Sequence, residues 1–159
     1  MSLLPIFEWC ENTAVGNVIR GSLWLFPVIE SFHLLALALI GGAVLVVDLR
    51  LLGFGLRRQP VAQLARDAQP WLAGGLIVMV VTGLLLFSSE AVKCYYSVAF
   101  LTKMSFLFPA IVFTFTVRRW VAGADETRVR PLWRKLVALI SVTLWTVVGA
   151  SGRWIGFSG

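Results

Sequence analysis

Four long apolar stretches, separated by short charged segments, dominate the pattern of this chain. A hydrocarbon core of about 30 Å is crossed by about 20 mostly apolar helical residues, and each stretch is long enough to cross once. The predicted spans are residues 23–47, 71–89, 97–117 and 136–157. The pattern therefore predicts an all-α integral membrane four-helix bundle, with residues 1–159 forming a single transmembrane domain.

Composition excludes a soluble domain and a disordered tail. Of the 159 residues, 58% are apolar and 14% are charged, and the mean hydropathy is +0.85. Soluble domains carry about 25% charged residues. So few polar groups cannot cover a globule in water, and the surface is expected to face lipid.

The first residues differ from a cleaved signal peptide. Residues 1–17 have no basic start and include Glu8 and Glu11. A short helical segment after Pro5 is predicted to lie in the membrane interface, with Thr13 capping a further turn.

Cations are distributed unequally between the two ends of the predicted bundle. Ten of the fourteen Lys and Arg residues lie in two segments, 48–67 and 118–135. Because such residues are retained on the cytoplasmic side, both termini are predicted to face outward, which in a bacterial inner membrane is the periplasm. The net charge of +6 thus indicates topology and contact with anionic lipid, and no nucleic-acid partner is predicted.

Ionisable side chains inside spans are costly and need a partner or a water-lined cavity. Four lie in the predicted outer half, at depths of about 10 Å for Glu30, 15 Å for His33, 9 Å for Lys103 and 6 Å for Arg153. One interpretation is a buried ion-pair layer that fixes helix register, with Glu30 paired to Arg153 or Lys103. The other is an outward-facing polar pocket for a small anion, a quinone head group or a cofactor propionate.

His33 is the only histidine and lies near the predicted midplane, where a bundle histidine commonly holds haem iron. Glu30 precedes it by three residues and is predicted to orient the imidazole from the same helix face. A second axial ligand would come from Met79, Met104 or His33 of a second copy. One interpretation is therefore haem b on His33 as metal ligand, serving electron transfer. The other is a buried histidine that only packs and forms hydrogen bonds.

Small residues favour close helix approach. Gly152 and Gly156 form a G-x-x-x-G pattern on the fourth span, which predicts tight packing and a homo-oligomer. The same segment, Gly149-Ala150-Ser151-Gly152, matches the G-x-S-G of intramembrane serine proteases, but no oxyanion group is evident. At the cytoplasmic end, Asp48 is expected to form a local ion pair or to contact the Arg118 and Arg119 end of the third span.

Both cysteines are predicted on the oxidising side of the membrane. Two alternatives are open: Cys10 and Cys94 form a disulfide with each other, or they are two thiols shielded by lipid. The spacing does not resemble a metal finger.

Several blocks of the sequence resemble a known pattern. They are ENTAVGNVIRGSLWLFPVIESFHLLALALIGGAVLVVDLRLLG, GLLLFSSEA and the closing GASGRWIGF. These blocks are similar to an uncharacterised family of small bacterial four-helix inner-membrane proteins, and the resemblance implies the topology without a reaction. A fainter likeness, a histidine early in the first helix followed by Gly-Gly, is to D-type copper-resistance membrane proteins and b-type cytochromes.

Three function classes follow. The first is a small redox or cofactor-binding membrane protein. The second is a non-enzymatic accessory or scaffold subunit of a larger membrane complex. The third is an oligomeric transporter or channel for a small solute. No catalytic set emerges, so the sequence favours a non-enzymatic role.

Overall fold

The computed structural model describes residues 3–55, 59–124 and 128–155, and within these ranges the chain is helical with short connections. In chain order the segments are α1 Leu4–Glu11, α2 Ala14–Gly21, α3 Leu25–Leu52, α4 Val61–Ser89, α5 Ala91–Tyr96, α6 Val98–Phe113, a π-helical turn Thr114–Arg118, α7 Arg119–Gly123 and α8 Pro131–Ile155.

Four of these helical units are long and apolar enough to cross a membrane. They are α3, α4, the continuous unit Val98–Gly123 and α8. The prediction of an all-α, four-span membrane protein is therefore confirmed. We call the end with α1, α2 and α5 the terminal end, and the end where α3 and α7 finish and α4 and α8 begin the loop end.

The observed helices are longer than the predicted spans at the loop end. α4 begins at Val61, ten residues before the predicted start at residue 71, and continues through Pro70. Charge gaps mark the part of a helix that lies in hydrocarbon, whereas the helix itself continues into the polar interface. At the other end of the chain, Gly156 and the predicted limit at residue 157 lie outside the described residues.

The core is divided into two apolar layers. The middle layer has α3, α4, α6 and α8 packing through Ala36, Ile40, Val44, Leu72, Met79, Ala110, Trp145 and Val148. The loop-end layer is built from Val47, Leu51, Val61, Leu64, Val121, Ala122, Val129, Val137 and Ala138. Large apolar side chains on the outer faces are exposed, as expected for lipid-facing helices.

The two short N-terminal helices lie on the terminal end of the bundle. As predicted, Thr13 caps α2, accepting a hydrogen bond from Gly16 N at 3.3 Å. A Cβ at Gly16 would overlap the backbone carbonyl oxygen of Ser88, so only glycine lets α2 approach the end of α4 this closely. Arg20 then joins both sides, donating to Ser89 O at 3.1 Å and pairing with Glu11 at 3.2 Å.

Candidate functional site

A cavity of about 220 Å³ lies at the terminal end among α3, α4, α5, α6 and α8. Its polar lining residues are Glu30, His33, Glu90, Lys93, Cys94 and Lys103. Aromatic and aliphatic side chains form much of the rest of the wall, among them Phe87 and Phe100, whose rings stack at 5.7 Å. We call this space the terminal-end cavity.

A chain of hydrogen bonds leads from the backbone of α4 into the cavity. The Thr82 hydroxyl donates to Val78 O at 2.6 Å, so it accepts from Nδ1–H of His33, 2.9 Å away. The other ring nitrogen, Nε2, is then unprotonated and accepts from Nζ of Lys103 at 3.3 Å. His33 is 8% exposed, and this arrangement fixes both its ring orientation and its tautomer.

Two glycines leave room for these hydrogen-bonded side chains. A Cβ at Gly83 would lie 3.2 Å from Cε1 of the His33 ring, and a Cβ at Gly152 would lie 3.3 Å from Nζ of Lys103. Gly152 therefore makes the close approach that the sequence predicted for α8, but toward a lysine side chain of the same chain. Because these glycines have no side chain, the imidazole of His33 packs directly on the backbone of α4 and the ammonium group of Lys103 packs directly on the backbone of α8.

The ion-pair layer predicted from depth is absent from the described residues. Neither Lys103 nor Glu30 has an ion-pair partner within 4 Å in this part of the chain, although both line the cavity. Arg153 is exposed near the end of α8 and is not among the lining residues. The ion-pair interpretation was wrong because depth along a helix does not fix rotation about its axis. Of the four residues, the structure brings Glu30, His33 and Lys103 to one cavity.

The residues present do not fit haem. Nε2 of His33, the nitrogen left for iron, faces Lys103 Nζ. Met79 is 3% exposed in the middle apolar layer and lies outside the cavity lining, and Met104 is on the lipid-facing surface. Since His33 is buried within one chain, a second copy cannot supply its histidine as axial ligand.

Size also argues against a macrocycle. Ligand pockets for drug-sized molecules have volumes of about 300–1,000 Å³, above the 220 Å³ found here. Among the described residues, no group of three or more His, Cys, Asp or Glu side chains is placed to hold a metal ion.

Both cysteines are free thiols in the structure. Cys94 is buried on α5 and its side chain lines the cavity, whereas Cys10 is half-buried on α1. Burial raises the pKa of the Cys94 thiol to about 11, and the carboxylate of Glu90 adds to the shift.

A second buried polar group lies at the loop end. Asp48, which is fully buried, accepts a hydrogen bond from Nε of Arg118 at 2.7 Å, and Nη2 of Arg118 donates to Val44 O at 3.0 Å. The predicted contact of Asp48 with the Arg118 end of the third span is confirmed. Ser141 adjoins the same carboxylate from α8.

Sequence reasoning missed Thr82 and Gly83. Thr82 lies within an uncharged span and carries no unusual signal, since a threonine in a membrane helix ordinarily bonds its own preceding carbonyl. Only the packing of α3 against α4 shows that the Thr82 hydroxyl oxygen also accepts a hydrogen bond from His33.

The fold and the cavity define a class: a multi-pass helical membrane protein with a cavity lined by polar and aromatic side chains in one half of the bundle. Residues 6–158 match the family of unknown function DUF6644, and the chain belongs to that family. The resemblance to an uncharacterised family is therefore confirmed. Comparison with curated proteins and with solved structures finds no match.

Proposed function

We propose that the protein is a cofactor-binding membrane protein whose terminal-end cavity holds the head group of a lipid-soluble molecule of the quinone class. The observation that carries the proposal is Lys103, whose ammonium group lines the cavity beside the neutral imidazole of His33. Among the described residues, no carboxylate lies within 4 Å of this ammonium group. A carbonyl oxygen of the ligand would accept a hydrogen bond from this ammonium group.

Other features of the cavity support a quinone-like head group. Glu30 lines the same space, and its carboxylate would accept a hydrogen bond from a hydroxyl of the reduced, quinol form, while the Lys103 ammonium group would donate to an oxygen of either redox form. The stacked Phe87 and Phe100 supply a wall for a flat ring. A volume of 220 Å³ corresponds to about seven water molecules, which suits one ring with its substituents.

The proposal includes the location of the protein. We place it in the bacterial inner membrane, with the terminal end toward the periplasm, on the support of the uneven distribution of cations between the two ends. The cavity then lies in the outer leaflet, where the polyprenyl tail of a quinone would remain in lipid.

Equilibrium binding tests the proposal. The purified full chain in detergent is titrated with a short-chain ubiquinone by calorimetry, together with the variants Lys103→Met and Lys135→Met. Loss of a charge-assisted hydrogen bond is expected to raise Kd about tenfold or more for Lys103→Met. Lys135 lies at the loop end, so its variant serves as the matched control and is expected to bind like the wild type.

Two results would contradict the proposal. One is the absence of saturable binding by the wild type, and the other is equal binding by Lys103→Met and wild type. A haem-supplemented preparation is measured in parallel by absorption, and no Soret band is expected. A Soret band that disappears in His33→Ala would replace the quinone proposal by haem.

A further inference from the structure

A second cavity, of about 170 Å³, opens at the loop end between α4 and the segment from Thr114 to Gly123. Alanines on α4, Ala62, Ala65 and Ala68, form one wall, and their small side chains leave the space open. We call it the loop-end cavity. It shares no lining residue with the terminal-end cavity.

The charged residues of this lining are all arginines. Arg66, Arg118 and Arg119 line the cavity together with the amide of Gln69, and no Asp or Glu is among the lining residues. In the part of the chain that the structure describes, Arg66 and Arg119 have neither an ion pair nor a side-chain hydrogen bond. Two guanidinium groups thus converge on one small space with their donors unused.

Arg118 provides a fixed donor at the base of the cavity. It is 6% exposed, and its contacts through Nε to Asp48 and through Nη2 to Val44 O hold the guanidinium plane in place. Nη1 is the nitrogen that these contacts leave over. Asp48 balances the charge of Arg118, so the positive charges of Arg66 and Arg119 remain for a ligand.

We propose that the loop-end cavity binds a phosphate group. Arginine forks match the oxygens of a phosphate and donate two hydrogen bonds each, and a lining without carboxylates does not repel the anion. A volume of 170 Å³ equals about five or six water molecules, which is enough room for one phosphate group. Basic pockets between membrane helices near the cytoplasmic surface take anionic lipid head groups by this chemistry.

The phosphate has two possible sources, an anionic phospholipid or a free phosphate ion, and three probes distinguish them. The full chain in detergent is titrated with dioctanoyl phosphatidylglycerol, with dioctanoyl phosphatidylcholine and with inorganic phosphate. Phosphatidylglycerol is expected to bind at one site and at least tenfold more tightly than the zwitterionic lipid. Phosphate binding at least tenfold weaker than that of phosphatidylglycerol assigns the site to lipid, and equal or tighter phosphate binding assigns it to the free ion.

Paired double variants separate the cavity from the general basic surface. Arg66→Gln with Arg119→Gln removes the two exposed cavity arginines, and Arg130→Gln with Lys135→Gln removes two exposed cations of the same end that do not line the cavity. The first pair is expected to weaken binding about tenfold or more, and the second to leave it unchanged. All four positions are exposed, so both proteins should fold.

Two outcomes would overturn the proposal. In one, neither phosphatidylglycerol nor phosphate binds saturably to the wild type. In the other, the control pair weakens binding as much as the cavity pair, which would make the attraction a property of the whole basic surface.

Discussion

At the scale of single residues, the position of Lys103 depends on a threonine that it does not touch. Thr82 donates to Val78 O and accepts from His33, and His33 in turn presents its free lone pair to Lys103. A buried ammonium group is usually matched by a carboxylate. Here the carboxylate of Glu30 stays apart, so charge and counter-charge are both left for a ligand in the same cavity.

Replacing Thr82 by valine is expected to weaken this chain. Valine keeps the shape but removes the acceptor of the His33 Nδ1–H, so a buried donor loses its partner at a cost of about 1–3 kcal/mol. The apparent Tm of the purified protein should fall, as measured by circular dichroism in detergent. Thr102→Val is the matched control, because the Thr102 hydroxyl only donates to Val98 O on an exposed surface; an equal fall in both variants would contradict the role of Thr82.

Cys94 should show a steep dependence of alkylation on pH. The thiolate is the reactive form, and the pKa of Cys94 is raised to about 11. In a Cys10→Ser background, the rate of reaction with a maleimide is therefore expected to rise about tenfold per pH unit from pH 8 to pH 10. In the unfolded chain the rate should level off above about pH 8.5, and a levelling at that pH in the folded protein would contradict the burial of Cys94.

At the scale of elements, the third span changes from α-helix to a π-helical turn where it contacts α3 and α8. The π-helical turn Thr114–Arg118 follows Pro109 by five residues. Trp145 Nε1 donates to Thr114 Oγ1 at 2.9 Å, and Arg118 reaches Asp48. Such turns are frequent at functional sites, and this one forms part of the lining of the loop-end cavity through Thr114, Phe115 and Arg118.

Removal of the buried ion pair between Asp48 and Arg118 is expected to weaken the attachment of the π-helical turn to α3 and to lower the stability of the protein. Asp48→Asn removes the counter-charge of Arg118, and the loss of one partner of a buried pair costs about 3–5 kcal/mol. The exposed Asp67→Asn should change stability by less than about 0.5 kcal/mol. Thermal unfolding in detergent compares the two variants. If Asp48→Asn were as stable as Asp67→Asn, the pair would not hold α3 and the π-helical turn together.

The crossing of α3 and α4 offers a test with two adjacent glycines. A Cβ at Gly75 would lie 2.9 Å from Cγ1 of Ile40 and 3.4 Å from Ala36 O, whereas a Cβ at Gly74 meets nothing within 4 Å. Overpacking costs about 1–3 kcal/mol, so Gly75→Ala should lower the apparent Tm. Gly74→Ala should leave it unchanged or raise it slightly, since alanine favours the helix; a lower Tm for Gly74→Ala alone would contradict the crossing.

Charge and apolar length predicted the elements better than the contacts between them. The four spans, the Thr13 cap and the contact of Asp48 with Arg118 follow from local pattern and from position along a helix. The pairing of His33 with Thr82 depends on how α3 and α4 rotate against each other. That rotation is set by close approaches such as Gly75 on Ile40, and nothing in the sequence of one helix reports it.

At the scale of the whole molecule, two polar sites lie at opposite ends of an apolar layer. His33 and Asp48 are fifteen residues apart on α3, which is about 22 Å along a helix. The middle apolar layer, with Ile40, Met79 and Trp145, lies between them. A solute crossing a single chain would have to pass this layer, so the arrangement favours two separate binding sites over a continuous path.

The orientation of the bundle in the membrane decides which leaflet each cavity opens into. Ten of the fourteen cations lie in the segments 48–67 and 118–135, and three arginines of these segments line the loop-end cavity. If these segments face the cytoplasm, the quinone-class site opens in the outer leaflet and the phosphate site in the inner one.

Cysteine labelling in intact cells tests this orientation. In a background of Cys10→Ala and Cys94→Ala, one variant carries Glu8→Cys at the terminal end and another carries Gln59→Cys at the loop end; both positions are exposed. A membrane-impermeant maleimide is expected to label the Glu8 variant in intact cells, and the Gln59 variant only after the membrane is permeabilised, because cation-rich segments are retained on the cytoplasmic side. The cysteine-free chain is the control for unspecific labelling. Labelling of the Gln59 variant alone in intact cells would reverse the orientation and would place the phosphate site in the outer leaflet.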